Sequence, residues 1–299
     1  MSERWHRTTG RRRPAVGRRA AAAVLSTCVV LAAACSGGDD AAESDPAETE
    51  IVERTEWGEV FAEEGATGTF ALRDVGADTT HVWNGARAVE RRLPASTFKI
   101  ANSMVILETG VVDDVDTVVA WDGVERELDV WNRDHSLRSG IEVSAVWMYQ
   151  LLAREVGAER MAAFVQAVDY GNGLTGPAVD EFWLRGDVRI NPLEQLDFLE
   201  RMVVGDLPVR PEVIDAVEEI IVRERGDGWT WSHKTGTALA EDPVLGWLVG
   251  VTRHGDRVRV FAMNVDLIEL AGLGGQLDPQ VRQRIARRIL ELEGALPAA

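Results

Sequence analysis

Apolar side chains recur along the chain with two distinct periods, and the switch between them outlines the fold. Residues 67–75 (TGTFALRDV) and 81–84 (HVWN) alternate like strands, separated by the turn-like GADTT. STFKIANSMVILETG reads as a helix, with Ser96 as its N-cap and Gly110 as its stop. Helical spacing then dominates residues 144–157, 158–168 and 193–205, and Gly171, Asn172, Gly173, Gly176 and Pro177 mark a loop between the last two. RPEVIDAVEEIIV adds a further helix. Residues 229–236, 244–252 and 257–265 then alternate like neighbouring antiparallel strands, and PQVRQRIARRILELEG closes the chain as a helix. Strands at both ends with helices between predict an α/β (α+β) fold: a mixed, mainly antiparallel sheet built from both chain ends, flanked by helices, with an inserted helical lobe.

The first 54 residues do not fit this pattern. A basic stretch is followed by the short apolar run AAAVLSTCVVLAAAC and then by SGGDDAAESDPAETE. Residues 1–35 read as an export signal, too short in apolar length for a transmembrane helix. LAAAC resembles a lipobox ending at Cys35, with lipidation of that cysteine expected and plain secretion the alternative; the product would sit at the cell surface or in the periplasm. Residues 36–54, small and acidic, read as a flexible tether, and residues 55–295 as one catalytic domain. Both cysteines, Cys28 and Cys35, lie in the leader, which excludes a disulfide or a cysteine metal site in the folded part. The five histidines show no metal-ligand spacing, so no metal is expected.

Charge narrows the function. The chain carries a net −17; residues 1–35 hold seven arginines and one glutamate, which leaves 25 basic and 48 acidic side chains, a net of −23, for the rest. A nucleic-acid partner would call for a basic patch, and none is visible. Of the 32 basic residues only two are lysines, Lys99 in PASTFKIANS and Lys234 in SHKTGT. Where arginine is otherwise preferred, a retained lysine points to a task that needs a titratable amine, because a guanidinium does not lose its proton. Ser96 and Lys99 stand three apart at a helix start, on one face. A serine becomes a nucleophile beside a base, and a buried lysine amine can be neutral enough to serve as one. Gly236, in the strand-borne Lys234-Thr235-Gly236, would let a ligand approach the backbone, and an edge strand there would offer its amides to a substrate.

Serine-x-x-lysine, then SAV at 144–146, then KTG at 234–236 follow the order used by penicillin-recognising serine enzymes. LPASTFKIANSMVILETGVV, the stretch from Trp121 to Met161, YGN at 170–172, FWLRGDVRINPLEQLDFL and GWLVGVTRHGDRVRVFAMNVDL resemble the class D β-lactamases, the oxacillinase family, over about residues 55 to 293. The resemblance implies a hydrolase of β-lactams, small-molecule substrates, with no cofactor beyond the carbon dioxide or bicarbonate that carboxylates Lys99. It implies Ser96 as the acylated nucleophile and N-carboxylated Lys99 as general base. Phe98, Val146, Trp183 and Leu184 would enclose the carbamate, with the Trp183 indole as its donor. Ser144 would relay a proton to the leaving nitrogen and Lys234 would complete the polar network. The N–H groups of Ser96 and Thr237 would form an oxyanion hole, with Thr235 and Gly236 beside the substrate. Arg282, or alternatively Arg284, would hold the substrate carboxylate. The loops around Trp131, 238–243 and 267–276 would shape substrate preference. A penicillin-binding sensor and a D,D-peptidase or transpeptidase share the serine and lysine motifs and stay open as alternatives. The leader-and-tether start favours the hydrolase over the sensor. SAV, YGN and FWL favour class D over the peptidase, and SAV also stands where class A has Ser-Asp-Asn.

Overall fold

The structure, a computed structural model, describes residues 49–267 and 277–298. The expected leader, Cys35 and most of the tether lie outside the described residues, as does most of the 267–276 loop.

Seven strands form one sheet: β1 (Glu50–Glu53), β2 (Gly68–Asp74), β3 (Thr79–Trp83), β4 (Val222–Gly226), β5 (Trp229–Ala238), β6 (Leu245–His254) and β7 (Arg257–Asp266). Their order is β1-β3-β2-β7-β6-β5-β4, and every pairing is antiparallel except β1 with β3. The helices are α1 (Trp57–Glu63), α2 (Gly85–Ala88), α3 (Lys99–Glu108), α4 (Leu137–Glu142), α5 (Val146–Val156), α6 (Ala158–Ala167), α7 (Phe182–Arg185), α8 (Pro192–Val204), α9 (Pro211–Ile220) and α10 (Val281–Leu292). The sheet therefore comes from both chain ends and the helical lobe from the middle, as the periodicity predicts.

Strand alternation sorts the core into two layers. Phe70, Leu72, Leu248, Phe261, Met263 and Val265 pack under α1 and α10, together with Trp57, Ile285 and Ile289. Their strand neighbours Ala71, Trp247, Val249, Val260 and Ala262 face the other way, into the core of the helical lobe with Phe98, Tyr149 and Phe198. β6 and β7 are buried on both faces over most of their length, so apolar residues occupy both sets of alternating positions there.

Two expectations need correction. The tether does not run to residue 54, because Glu50–Glu53 joins the sheet edge through backbone bonds, with Glu50 N–H on Asp78 O at 2.7 Å and Arg54 N–H on Val82 O at 2.6 Å. An edge strand held this way needs few apolar side chains, and composition alone did not reveal it. Nor is Ser96 an N-cap. It lies inside a 3-10 turn, Ala95–Phe98, that runs into α3 without a side-chain cap. Its hydroxyl faces Lys99 instead.

β5 and β6 leave no room for a side chain at Gly250. A Cβ built on Gly250 would stand 2.1 Å from the Ser232 carbonyl oxygen and 2.8 Å from His233 Cα, backbone atoms that cannot move aside. Gly250→Ala is therefore expected to cost about 3 kcal/mol, the upper range for overpacking, and to lower Tm by about 6–12 °C in a domain of this size. A calorimetric shift under about 2 °C would show that the strands can separate.

Candidate active site

The nucleophile segment is held before it becomes helical. The Leu93 carbonyl accepts from Trp247 Nε1 at 2.8 Å, and the Leu93 N–H donates to Glu241 Oε1 at 3.0 Å. Ala95 follows with φ +48°, a left-handed conformation that costs about 1–3 kcal/mol in a non-glycine residue and persists only where its surroundings enforce it. This brings Ser96 to the wall of a cleft of about 720 Å³. One turn on, Lys99 is fully buried, and its Nζ donates to Ser96 Oγ at 2.8 Å. Burial alone pushes the Lys99 amine down to about 7, so near neutral pH a large fraction lacks its proton. Among the described residues no carboxylate pairs with it.

The surroundings of Lys99 are aromatic. Its Nζ lies 5.3 Å from the centre of the Tyr149 ring, whose hydroxyl is 2.8 Å from Ser103 Oγ. Phe98 stacks on Trp183 with ring centres 5.5 Å apart and meets Phe182 edge-on at 4.9 Å. Trp183 is fully buried, yet its Nε1 has no partner among the described residues. A buried donor left unpaired costs about 1–3 kcal/mol, so the pocket suits an added acceptor. Val146, the first residue of α5, and Leu184, in α7, line the cleft and are half-buried.

Ser144 stands between α4 and α5 with φ +57°. Its Oγ accepts from Lys234 Nζ at 3.2 Å, and the same amine donates to the Thr235 carbonyl at 2.9 Å. Lys234 is buried, and its amine is held well below the ordinary lysine range, first by burial and then by the positive charges of Lys99, Arg223 and Arg282. The strand carrying it is half open. β4 pairs with β5 only as far as Ser232, and beyond it the His233 N–H reaches the Ile221 carbonyl at 2.9 Å. Strand alternation puts the N–H groups of Thr235 and Thr237 on that same side, where none of the described strands covers them. Gly236 is required for close packing, since a Cβ there would stand 2.9 Å from the Pro94 carbonyl oxygen and 3.1 Å from Thr97 Cγ2.

Arg282 enters from α10. Its Nη1 donates to the Gly236 carbonyl at 2.6 Å and to Thr237 Oγ1 at 3.0 Å. The guanidinium is buried and pushed down to about 10 by that burial, and its Nε has no partner among the described residues. Arg284 points elsewhere, pairing with Glu64 and Asp278, both at 2.7 Å. Of the two arginines, Arg282 lines the cleft, and it has no acidic partner among the described residues. Ser96, Ser144, Lys234, Thr235, Gly236, Thr237 and Arg282 converge from segments far apart in sequence. Sequence reading did not single out Tyr149, Gln150 or Glu241. Tyr149 and Gln150 follow Val146 at helical spacing of three and four, the signal that could have found them.

Residues 62–291 match the family model described as the penicillin binding protein transpeptidase domain. The chain is 44% identical over 201 residues to the probable beta-lactamase YbxI of Bacillus subtilis, spanning 67% of this chain and 74% of that one. It is 36% identical over 245 residues to beta-lactamase OXA-48 of Klebsiella pneumoniae, spanning 82% and 90%. Among solved structures, the class D beta-lactamase YbXI from Nostoc superposes with a TM-score of 0.77 at 37% identity, covering 81% of this chain and 100% of that one.

A depressed amine carries a signature in stability. Between about pH 7 and its unfolded value near 10.5, Lys99 holds a proton in the unfolded chain and not in the folded one, so stability rises with pH across that window. The cost of burying the amine is full below pH 7 and lost above 10.5. In carbonate-free buffer, Lys99→Met is expected to raise Tm most at pH 6–7, by about 2 °C or more, with the gain shrinking toward pH 10. A gain independent of pH would show that the amine is not depressed.

Proposed function

The chain belongs to the class D β-lactamases within the penicillin-binding transpeptidase family, and we propose that it hydrolyses β-lactams through an acyl-enzyme on Ser96 with carboxylated Lys99 as general base. One observation carries the reading: a lysine amine depressed to about 7 lies 2.8 Å from a serine hydroxyl, and the indole stacked on the preceding Phe98 has an N–H without a partner among the described residues. A neutral amine is the form that takes up carbon dioxide, and a carbamate needs a hydrogen-bond donor in an otherwise apolar enclosure. Trp183 Nε1 is the donor suited to it, with Phe98, Val146 and Leu184 as walls. Carboxylated, Lys99 would supply an oxygen base at the mouth of this pocket.

The other residues take roles that follow from their positions. Arg282 holds the substrate carboxylate, since a guanidinium suits that planar anion and this one pairs with no acid among the described residues. The N–H groups of Ser96 and Thr237 receive the carbonyl oxygen as it gains negative charge. Ser96 Oγ attacks the carbonyl carbon and gives up its proton to the base. The carbon–nitrogen bond then breaks, and the proton taken from Ser96 passes by way of Lys234 and Ser144 to the departing nitrogen, which frees the base. Water next adds to the ester while the base takes its proton. The carbon–oxygen bond to Ser96 breaks, the base returns that proton to Ser96 Oγ, and the acid product leaves, ionising to a carboxylate in water.

The first test is steady-state hydrolysis of a chromogenic cephalosporin, with and without bicarbonate. Turnover that bicarbonate enhances is the expected result. One stoichiometric burst followed by silence would favour a sensor or peptidase instead. Lys99→Arg is expected to abolish turnover, because no neutral amine remains; retained turnover would remove Lys99 as base. Trp183→Ala is expected to make activity depend on added bicarbonate, and full activity in depleted buffer would remove the indole from the pocket. Arg282→Ala is expected to raise KM about 10-fold or more with a smaller effect on kcat; an unchanged KM would assign the carboxylate to another group.

A further inference from the structure

We propose that Trp131 is a positioning residue for Ser144, acting through the indole N–H that it donates to the carbonyl of Val143. The inference rests on the reading of Ser144 as proton relay. Ser144 holds a left-handed φ of +57°, which a serine does not keep unaided. Its φ and ψ are the rotations of its two flanking peptide planes about Cα, and both planes are pinned. The Val143 carbonyl, in the plane before Ser144, accepts from Trp131 Nε1 at 2.9 Å. The Ala145 N–H, in the plane after it, donates to the Gly140 carbonyl at 2.8 Å. Only the first pin is a side chain, so it is the one that substitution can remove.

Trp131 is itself fixed from three directions. Its N–H donates to the Leu128 carbonyl at 2.8 Å, closing the 3-10 turn Asp129–Trp131. Its carbonyl accepts from Trp147 Nε1 at 2.9 Å, tying that turn to α5. The neighbouring Val130 carbonyl lies 3.0 Å from His135 Nε2. Two indole N–H groups thus lock the turn and the Ser144 segment together, one in each direction. The Trp131 ring also lines the cleft, so the residue has two separable parts: a ring that forms the wall and an N–H that reaches the backbone ahead of Ser144.

Substitutions can separate these parts. Trp131→Phe keeps a ring and removes the donor; Trp131→Gln keeps a donor and removes the ring. The readout is the single-turnover acylation rate constant and the dissociation constant for a chromogenic cephalosporin, in the wild type and in a Ser144→Ala background. Trp131→Phe is expected to slow acylation about 10-fold, the value of one lost hydrogen bond, in the wild-type background and less than about 2-fold in Ser144→Ala, with the dissociation constant changed less than about 3-fold. Trp131→Gln is expected to weaken binding while acylation stays within about 3-fold. Equal slowing in both backgrounds, or a Trp131→Phe effect confined to binding, would overturn the proposal. If Trp131→Phe fails to fold, the Gln variant decides, and a slowed acylation there, with the donor kept, overturns it. A wild type that never acylates Ser96 would overturn the functional reading itself, a result distinct from any of these.

Discussion

An amine kept from water with no acid to pair it sets the terms for the rest of this molecule. Lys99 can act on Ser96 only because burial holds it near neutrality. That burial requires the aromatic packing of Phe98, Tyr149, Phe182 and Trp183, which in turn requires the helical lobe to close over the sheet. The acidic character of the chain is kept at a distance. Elsewhere arginines meet carboxylates: Arg54 pairs with Glu293, Arg87 with Asp266 and Arg73 with Asp197 and Glu200. Lys99, Lys234, Arg223 and Arg282 form no ion pair among the described residues. With both lysine amines depressed by burial, Arg282 is the standing cation that this wall of the cleft offers inside a strongly negative protein. That suits an anionic substrate and a negatively charged acyl-transfer intermediate.

Catalytic placement and backbone strain occur together here. Ala95, immediately before the nucleophile, and Ser144 are two of the four non-glycine residues with positive φ among those described. Each is held by groups that could not form such contacts in isolation: Trp247 and Glu241 on Leu93, Trp131 and Gly140 around Ser144. The sheet supplies the rigidity. β5 is paired along its whole length with β6 on one side and left open beyond Ser232 on the other. One edge is therefore fixed while the other presents the amides of Thr235 and Thr237.

The sequence reveals what lies close along the chain. The three-residue spacing of Ser96 and Lys99, the KTG strand, the period of two in the terminal strands and the period near 3.6 in the lobe are local patterns, and the structure keeps them. Features made by distant contacts are not visible in one dimension. The Lys234–Ser144 bond joins residues 90 apart, and the bond from Arg282 to the Gly236 carbonyl joins residues 46 apart. Sequence alone left Arg282 and Arg284 open; their contacts separate them, since Arg282 lines the cleft against Gly236 and Thr237 while Arg284 pairs with Glu64 and Asp278. The N-cap reading of Ser96 failed for a related reason: a serine at a helix start commonly caps it, but this hydroxyl engages a lysine side chain.

The near-absence of lysine also determines how the exterior meets reagents. Both lysines of the chain are buried, 0% and 3% exposed, so the cations on the surface are guanidinium groups. Activated esters and aldehydes, which seek primary amines, find no lysine on the described surface. Amine labelling of the folded domain would therefore report on access to the two buried lysines rather than on its surface.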